Sequence, residues 1–208
     1  MRLDPPVVVL ADGAFPTHDW PLATLREAGT LICCDGAANQ MLGQPRQPDV
    51  VLGDLDSLNE QAYAELGDRL INLSSQQSND LEKALKWTAE QGVREVTVLG
   101  ATGLRDDHAF GNLLMLWTDF ELDITLLTDT GTFTVVRASR EYASFTGQVV
   151  ALFPETTHIR ITTTGLAYAL QDQPLSAHHK GVSNRSLGDT FSIQVMGGAV
   201  VIYQGYPV

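Results

Sequence analysis

Three aspartates stand where two short apolar runs end. Residues 31–34 (LICC) lead directly into Asp35, and residues 50–52 (VVL) are followed closely by Asp54 and Asp56. Short apolar runs that end in Gly and Asp are typical of buried parallel strands leading into loops. Because ligands of open α/β sheets bind just beyond the carboxyl ends of the strands, the sequence predicts that the three aspartates face one crevice.

Carboxylates gathered in one crevice repel each other unless a positive charge lies among them. Two unit charges ~4 Å apart interact with roughly 4 kcal/mol at an effective dielectric constant of about 20. Protons or a hard cation would relieve this repulsion, and Mg²⁺ usually binds one or two carboxylates together with substrate phosphates. Taken singly, each aspartate can also be a plain turn or cap residue. The hypothesis of a metal site therefore depends on the neighbouring residues.

A fourth acid and a glycine-containing loop extend the pattern. Asp80 falls in the first turn of a predicted helix, where the helix dipole stabilises a carboxylate by ~0.3–1 kcal/mol, which is its alternative role. Residues 100–108 follow another apolar run and open a helix, and glycines there let backbone amides approach an anion. Arg105 could clamp phosphate oxygens or merely balance nearby acids, and His108 could be a cap or packing residue.

Acids and glycines thus follow four successive predicted strands, which indicates a Mg²⁺–polyphosphate site. The sequence contains neither the G-x-x-x-x-G-K-[ST] motif of a P-loop nor the G-x-G-x-x-G dinucleotide fingerprint. Only three lysines occur, Lys83, Lys86 and Lys180, so phosphate binding is expected to depend on arginine, backbone amides and metal.

Composition narrows the possible partners. The formal net charge of −12 over 208 residues argues against a nucleic-acid-binding surface. No apolar run approaches the ~20 residues of a membrane span, and the N-terminal apolar stretch is too short for a signal peptide. The adjacent Cys33 and Cys34 would point to opposite faces of a strand, so no mutual disulfide is expected. We therefore expect a cytoplasmic protein without nucleic-acid or membrane partners.

Strands and helices alternate through about residue 128, which predicts an α/β domain with a mostly parallel open sheet and flanking helices. The predicted strands are 7–11, 31–34, 50–52, 70–73, 95–99 and 124–127. The predicted helices are 19–28, 37–42, 59–66 and 106–117. A further predicted helix begins with a capping box of Asn79 and Glu82 and ends at Gly92.

The later part of the chain has a different pattern. Its predicted strands are 133–137, 148–153, 158–162, 191–196 and 199–203, with a hairpin turn at residues 196–199. Short strands separated by turn residues predict an antiparallel sandwich or barrel. We place the boundary near Ala138, which gives domains 1–138 and 139–208.

Several segments together resemble the thiamin pyrophosphokinase (thiamine diphosphokinase) family, in the same order from about residue 7 to 205. They are residues 34–39 (CDGAAN), 48–57 (PDVVLGDLDS), 79–84 (NDLEKA), 103–108 (GLRDDH) with Asn112, 165–170 (GLAYAL) and 181–184 (GVSN). The resemblance implies an N-terminal α/β domain, a C-terminal thiamin-binding β-sandwich, and a homodimer with shared active sites. It also implies transfer of pyrophosphate from ATP to thiamin with Mg²⁺, giving AMP and thiamin diphosphate.

The same resemblance assigns roles to residues. It implies that Asp35, Asp54, Asp56 and Asp80 hold Mg²⁺–ATP and orient the thiamin hydroxyl, with Asp54, Asp56 and Asp80 as metal ligands. Arg105 and Asp107 would lie at the phosphates, and Ser183 and Asn184 of the partner subunit would hold the thiamin pyrimidine. The remaining implied binding residues are Gly36, Asn39, Gln76, Asn79, Gly103, His108 and Asn112.

Two departures from the family pattern concern loop geometry. Asn79 stands where the family often has Thr, downstream of Gln76 and Gln77 in a segment that is usually more acidic, and Leu104 replaces a common Gly. Two other functions remain open at this point. One is a Mg²⁺-dependent phosphohydrolase with Asp54 and Asp56 as an aspartyl-phosphate motif, and the other is a non-catalytic thiamin or nucleotide sensor.

We predict that Asp54→Ala and Asp56→Ala each abolish turnover while the fold survives, because each removes a ligand of the divalent ion rather than a packed side chain. Release of AMP from ATP, with circular dichroism as the control for folding, checks this. AMP release near the wild-type rate from either variant would contradict the metal assignment.

Overall fold

A computed structural model describes residues 1–75 and 78–207. Packing divides the chain into two compact units, Met1–Asp129 and Thr130–Val208. The predicted boundary near Ala138 lies inside the second of these units. Gln76, one of the implied binding residues, lies outside the described residues.

In the described part of the first unit, six strands form one parallel sheet. They are β1 (Val7–Leu10), β2 (Thr30–Cys34), β3 (Val50–Gly53), β4 (Leu70–Asn72), β5 (Glu95–Leu99) and β6 (Asp123–Leu127). Their spatial order is β6-β5-β1-β2-β3-β4, and every pairing in it is parallel. The chain moves outward from β1 to β4 and then returns to the other side of β1. This reversal makes the carboxyl ends of β1 and β5 the expected ligand crevice.

Five helices connect these strands. They are α1 (Asp19–Arg26), α2 (Ala37–Gln40), α3 (Glu60–Leu66), α4 (Asp80–Glu90) and α5 (Asp106–Met115). Asn79 caps α4 as predicted, because its side-chain oxygen accepts a hydrogen bond from the Glu82 amide at 2.9 Å. The Glu82 carboxylate itself accepts a bond from Lys86, 2.6 Å away. The cap sets the point at which α4 begins and therefore where Asp80 lies.

The centre of the parallel sheet is buried on both faces. Every residue of β1, β2 and β3 is buried, as expected for parallel strands covered by helices. Cys33 and Cys34 are both buried and free, so the prediction of no mutual disulfide is confirmed. A rigid sheet centre of this kind holds the loops at its carboxyl edge in place.

The second unit is an antiparallel sandwich. Its strands are β7 (Gly131–Val136), β8 (Ser139–Ala143), β9 (Val149–Pro154), β10 (Arg160–Thr164), β11 (Gly181–Arg185), β12 (Thr190–Met196) and β13 (Val200–Gly205). Strands β11-β9-β13-β7 pair in that order, and β10-β12-β8 form a separate sheet. Side chains from both sheets, among them Leu152, Ile193 and Ile202, share one core. The predicted fold class, an α/β unit followed by a β-sandwich, is confirmed.

The prediction of a hairpin at residues 196–199 is wrong. The turn exists, with φ of 91° at Gly197 and 155° at Gly198, but it leads from one sheet to the other. Strand β12 already has β10 and β8 on its two edges, and β13 has β7 and β9. Neither strand therefore has an edge left for pairing with the other.

Two strands of the sandwich were not predicted. In β8 only Tyr142 is buried, so the strand lacks an apolar alternation that the sequence would reveal. In β11 the pairing register with β9 shifts between Gly181 and Asn184, which breaks the period of two. Within residues 1–75 and 78–207, no helix has both the length and the apolar character needed to cross a membrane.

Two glycines give opposite expectations for substitution by alanine. A Cβ atom at Gly53 would lie 2.6 Å from the Cβ of Asp35, so Gly53→Ala should lower the free energy of unfolding by about 1–3 kcal/mol. A Cβ at Gly111 inside α5 meets nothing within 4 Å, so Gly111→Ala should raise it by about 0.5–1 kcal/mol. Urea unfolding of both variants checks the pair, and a stabilised Gly53→Ala would contradict the described contact.

Candidate active site

A cavity of about 520 Å³ opens at the carboxyl edge of the parallel sheet. Its walls come from the end of β2, from the segments after β1, β3 and β5, from the amino-terminal half of α4 and from α5. Six of the implied residues line it, namely Asp54, Asn79, Asp80, Arg105, His108 and Asn112, and the charged residues Asp12 and Lys83 lie beside them. The cavity is therefore at the place where the strand order reverses, as an α/β ligand site should be.

Three carboxylates meet beside this cavity. Asp35, Asp54 and Asp56 each offer an oxygen, and these three oxygens lie within 4.8 Å of one another. Asp35 is only 1% exposed, and its Oδ2 accepts a bond from the Ser57 amide at 3.3 Å. Its buried Oδ1 has no hydrogen-bond partner among the described residues. A buried carboxylate oxygen without a donor, next to two more carboxylates, fits an oxygen-binding cation such as Mg²⁺.

The backbone around these acids explains how they come together. Gly53 ends β3 without a side chain, which leaves room for the Asp35 side chain directly above it. Leu55, between the two acids that follow, adopts a left-handed conformation with φ of 67°. Such a conformation costs a non-glycine residue about 1–3 kcal/mol and persists only where the surroundings impose it. Here the side chain of Leu55 packs against the core of the first unit.

Asp80 lies close to this cluster but has a different partner. The Nζ of Lys83 donates a hydrogen bond to its Oδ1 at 2.8 Å. Asp80 is not one of the three acids whose oxygens converge, although its charge acts on Asp35. Its assignment as a metal ligand and as a base stays a prediction.

The pKa of the Asp35 carboxyl is raised. Burial is the largest cause, the hydrogen bond from Ser57 opposes it, and the charges of Asp80, Asp54 and Asp56 add to the increase. The ionised form of Asp35 is therefore disfavoured in the metal-free protein, as expected for a carboxylate that a cation would stabilise.

Arg105 and Asp107 form an ion pair with each other at the edge of the cavity. The guanidinium Nη2 lies 2.6 Å from Asp107 Oδ2, and both side chains are well exposed. The hydrogen bond from Arg105 lowers the pKa of Asp107 to about 2. The structure thus shows the balancing role that the sequence left open for Arg105, on a side chain that also lines the cavity.

Three asparagines among the implied binding residues hold the scaffold of the site. Asn79 donates to the side-chain oxygen of Asn112 at 3.2 Å, and Asn112 donates to the carbonyl of Ala101 at 2.9 Å. Asn39 donates to the Ser57 carbonyl at 2.8 Å and accepts from a backbone amide of the next helix cap. These bonds tie together the loops that carry the acids and the start of α5.

Two glycines of the implied set allow close approach between loops. A Cβ at Gly36 would lie 2.3 Å from the Oδ2 of Asp12, so a larger residue there would displace that carboxylate from its present position. At Gly103, φ is 94° and a Cβ would lie 2.6 Å from the Cβ of Ala14. Both glycines therefore serve the packing of the loops around the cavity.

Ser183 and Asn184 lie in the second unit, in the irregular strand β11. Ser183 has φ of 64°, an uncommon conformation for a residue other than glycine. The Asn184 amide is 6% exposed, donates to the Tyr168 carbonyl at 2.9 Å and accepts from the Tyr168 amide at 3.0 Å. The structure thus gives Asn184 a structural bond pair with the loop before it, and its predicted contact with thiamin stays a prediction.

Comparison with known proteins identifies the family. The family model for the thiamin pyrophosphokinase catalytic domain matches residues 22–131, and that for the substrate-binding domain matches residues 131–203. The chain belongs to the thiamin pyrophosphokinase family. The resemblance stated from the motifs is confirmed, and membership makes the chain an enzyme of the pyrophosphotransferase class.

Relatives in this family span most of the chain. Thiamine pyrophosphokinase 1 of Oryza sativa subsp. japonica is 28% identical over 188 residues, which are 76% of this chain and 69% of the relative. Thiamine pyrophosphokinase 1 of Arabidopsis thaliana is 28% identical over 184 residues, 74% of this chain and 67% of the relative.

Solved thiamin pyrophosphokinases share the fold. The structure from Geobacillus thermodenitrificans superposes with a TM-score of 0.81 at 21% identity and covers 97% of each chain. The structure from Candida albicans gives a TM-score of 0.79 at 17% identity, over 97% of this chain and 89% of that one.

The sequence analysis of this thiamin pyrophosphokinase family member missed two charged residues that line the cavity, Asp12 and Lys83. Asp12 follows β1 just as the other acids follow their strands, and this repeated pattern could have identified it. Burial is the largest cause that raises the pKa of the Asp12 carboxyl. The hydrogen bond from Gln40 opposes this increase, and the charge of Asp80 adds to it. Lys83 gave no such signal, because a lysine inside a helix is usually exposed.

We predict that Asp35→Asn stabilises the metal-free protein at pH 7. Because the folded pKa of Asp35 is raised, its stabilising contribution is present at low pH and is lost as the pH rises through that pKa. Removing the charge should raise the unfolding free energy by about 0.5–2 kcal/mol, or the melting temperature by about 2–6 °C.

Thermal melts in EDTA from pH 4 to 8 test this expectation. The stability of the wild type should fall more steeply with rising pH than that of the variant. Added Mg²⁺ should stabilise the wild type more than Asp35→Asn. A variant that melts below the wild type in EDTA at pH 7 would contradict the repulsion.

Proposed function

We propose that this chain is a thiamine diphosphokinase, which transfers the pyrophosphoryl group of ATP to the hydroxyl of thiamin and releases AMP. Mg²⁺ is the proposed cofactor, and ATP and thiamin are the substrates. The proposal includes a homodimer with shared active sites and a cytoplasmic location. Family membership and the acidic cavity support the reaction.

One observation carries the chemical part of the proposal. The carboxylates of Asp35, Asp54 and Asp56 converge within 4.8 Å, and one buried oxygen of Asp35 lacks a hydrogen-bond donor. Like charges at this distance are unfavourable without a counter-charge. A bound divalent ion would neutralise phosphate oxygens and the charge that develops as the pyrophosphoryl group moves.

In the proposed reaction the hydroxyl oxygen of thiamin attacks the β-phosphorus of ATP. The bond between that phosphorus and the bridging oxygen to the α-phosphorus breaks, and its electron pair leaves with AMP. Phosphoryl transfers of this type need positioning and charge neutralisation more than covalent help from the protein. Asp54 and Asp56 would hold the cation, and a nearby carboxylate, Asp80 or Asp54, would accept the hydroxyl proton.

Arg105 has a second proposed role in this scheme. Its guanidinium lines the cavity and is paired with the exposed Asp107. Exposed ion pairs are worth little, with a median near 0–1 kcal/mol, so a phosphate group can draw Arg105 away at small cost. We propose that Arg105 binds phosphate oxygens in the complex, while Ser183 and Asn184 of the partner subunit contribute to the thiamin side.

A phosphohydrolase is the second candidate, and one observation favours it. The sequence offered no convincing lysine beside Asp54 and Asp56, whereas the structure places the Lys83 ammonium close enough to Asp54 and Asp35 for their charges to act on its pKa. A lysine next to an aspartyl-phosphate motif would suit a hydrolase. The buried acid Asp35 and the family membership favour the transferase.

Product analysis separates the candidates. With ATP, Mg²⁺ and a panel of vitamin alcohols, we expect AMP and thiamin diphosphate in equal amounts, and only when thiamin is present. Chromatography of nucleotides and thiamin esters measures this, with EDTA as the control. Phosphate release from ATP without any alcohol would indicate a hydrolase, ADP would indicate single phosphoryl transfer, and thiamin binding by calorimetry without turnover would indicate a sensor.

A further inference from the structure

Lys83 is a buried lysine that the proposed reaction leaves without a role. Its side chain is 7% exposed, on the face of α4 that packs against β1, β2 and β3. Lysine is almost never buried to this degree unless it is paired. The position therefore needs a local source of negative charge to be stable.

The acidic cluster supplies that charge. The ammonium of Lys83 donates to Asp80 Oδ1 at 2.8 Å, and the charges of Asp54 and Asp35 also act on it. Lys83 thus lies among the carboxylates that the divalent ion is proposed to neutralise. In the metal-free protein it is a positive charge that the chain itself brings to them.

Lys86, one turn later on the same helix, provides a comparison. Its ammonium pairs with Glu82 at 2.6 Å, but its side chain is 55% exposed and is not among the residues that line the cavity. An exposed pair of this kind contributes little to stability, since water screens both charges. The two lysines share residue type, helix and ion-pair chemistry, and they differ in burial and in the presence of the acidic cluster.

We propose that Lys83 is a positioning residue, which holds the Asp80 carboxylate in place and serves as the resident counter-charge of the acidic cluster before a divalent ion binds. This inference rests on the metal-binding part of the proposed function. It has two consequences. The metal-free protein depends on Lys83 for stability, and the ammonium opposes Mg²⁺ electrostatically, so Lys83 weakens metal binding while it keeps Asp80 oriented.

Three single variants test the stability consequence. Lys83→Met keeps a long apolar side chain and removes the charge, Lys83→Arg keeps the charge, and Lys86→Met is the matched control. In EDTA at pH 7, we expect the melting temperature to fall by about 5 °C or more in Lys83→Met and by less than about 2 °C in Lys86→Met. Lys83→Arg should recover most of the loss.

Calorimetric titration with Mg²⁺ alone tests the second consequence. We expect Lys83→Met to bind Mg²⁺ about three- to tenfold more tightly than the wild type, because a like charge near the ion is gone. In the thiamin assay, the Mg²⁺ concentration for half-maximal turnover should fall while kcat decreases, because Asp80 is no longer held. Lys86→Met should match the wild type in both measurements.

If Lys83→Met does not fold, the double variant Asp80→Asn/Lys83→Met takes its place. It removes the acid that Lys83 holds, so it should fold and show a cooperative melting transition where Lys83→Met shows none. Failure of this rescue would overturn the inference. So would unchanged Mg²⁺ affinity in Lys83→Met, or a Lys83→Arg protein that behaves like Lys83→Met.

The wild-type titration separates this inference from the proposed function. If the wild type does not bind Mg²⁺, the proposed metal site is wrong, and the claim that Lys83 stands in for the ion is wrong with it. If the wild type binds Mg²⁺ and Lys83→Met matches it in affinity and in metal-free stability, only the role of Lys83 is overturned.

Discussion

Repulsion among carboxylates at the end of a parallel sheet is the constraint on which the rest of this structure depends. Asp35, Asp54 and Asp56 converge within 4.8 Å, and the first of them is almost completely buried. A folded chain tolerates such a group only if other interactions compensate for it. The packed core of the surrounding strands supplies part of that compensation, and the proposed role of the buried Lys83 ammonium adds to it.

The strands and loops around the cluster are arranged so that it cannot relax. Strands β1, β2 and β3 are buried throughout, so their carboxyl ends cannot separate without opening the core. Leu55 keeps an unfavourable backbone conformation because its side chain packs against that core. The stability of the sheet thus keeps an unfavourable but preorganised acidic site in place, which is the usual relation between a scaffold and its active site.

Polar residues near the cavity divide into those available to a ligand and those already occupied by the protein. The side-chain amides of Asn39, Asn79 and Asn112 form hydrogen bonds with loops and caps, and that of Asn184 forms hydrogen bonds within the sandwich. Their substitution would therefore move the acids rather than remove a direct contact. Arg105, in contrast, forms an exposed ion pair with Asp107 and can change partner at small cost.

The sequence by itself determined the alternation of strands and helices, the α/β class of the first unit and the sandwich class of the second, because these follow from local periodicity and turn residues. The sequence also determined that acids follow strands β2 and β3. The order of the sequence motifs pointed to the family. Tertiary structure alone decided which sheet each sandwich strand joins. The turn at Gly197 therefore leads between sheets rather than into a hairpin.

The burial of Lys83 was likewise decided only by tertiary structure. Nothing in the local sequence distinguishes the buried Lys83 from the exposed Lys86, since both follow an acid on the same helix. Burial depends on which face of α4 meets the sheet. Besides Asp80 on the same helix, the charges that act on Lys83 belong to Asp54 and Asp35, which follow strands β3 and β2 in the sequence. A pattern of neighbouring residues cannot contain that information, because it arises only when the strand ends are brought together.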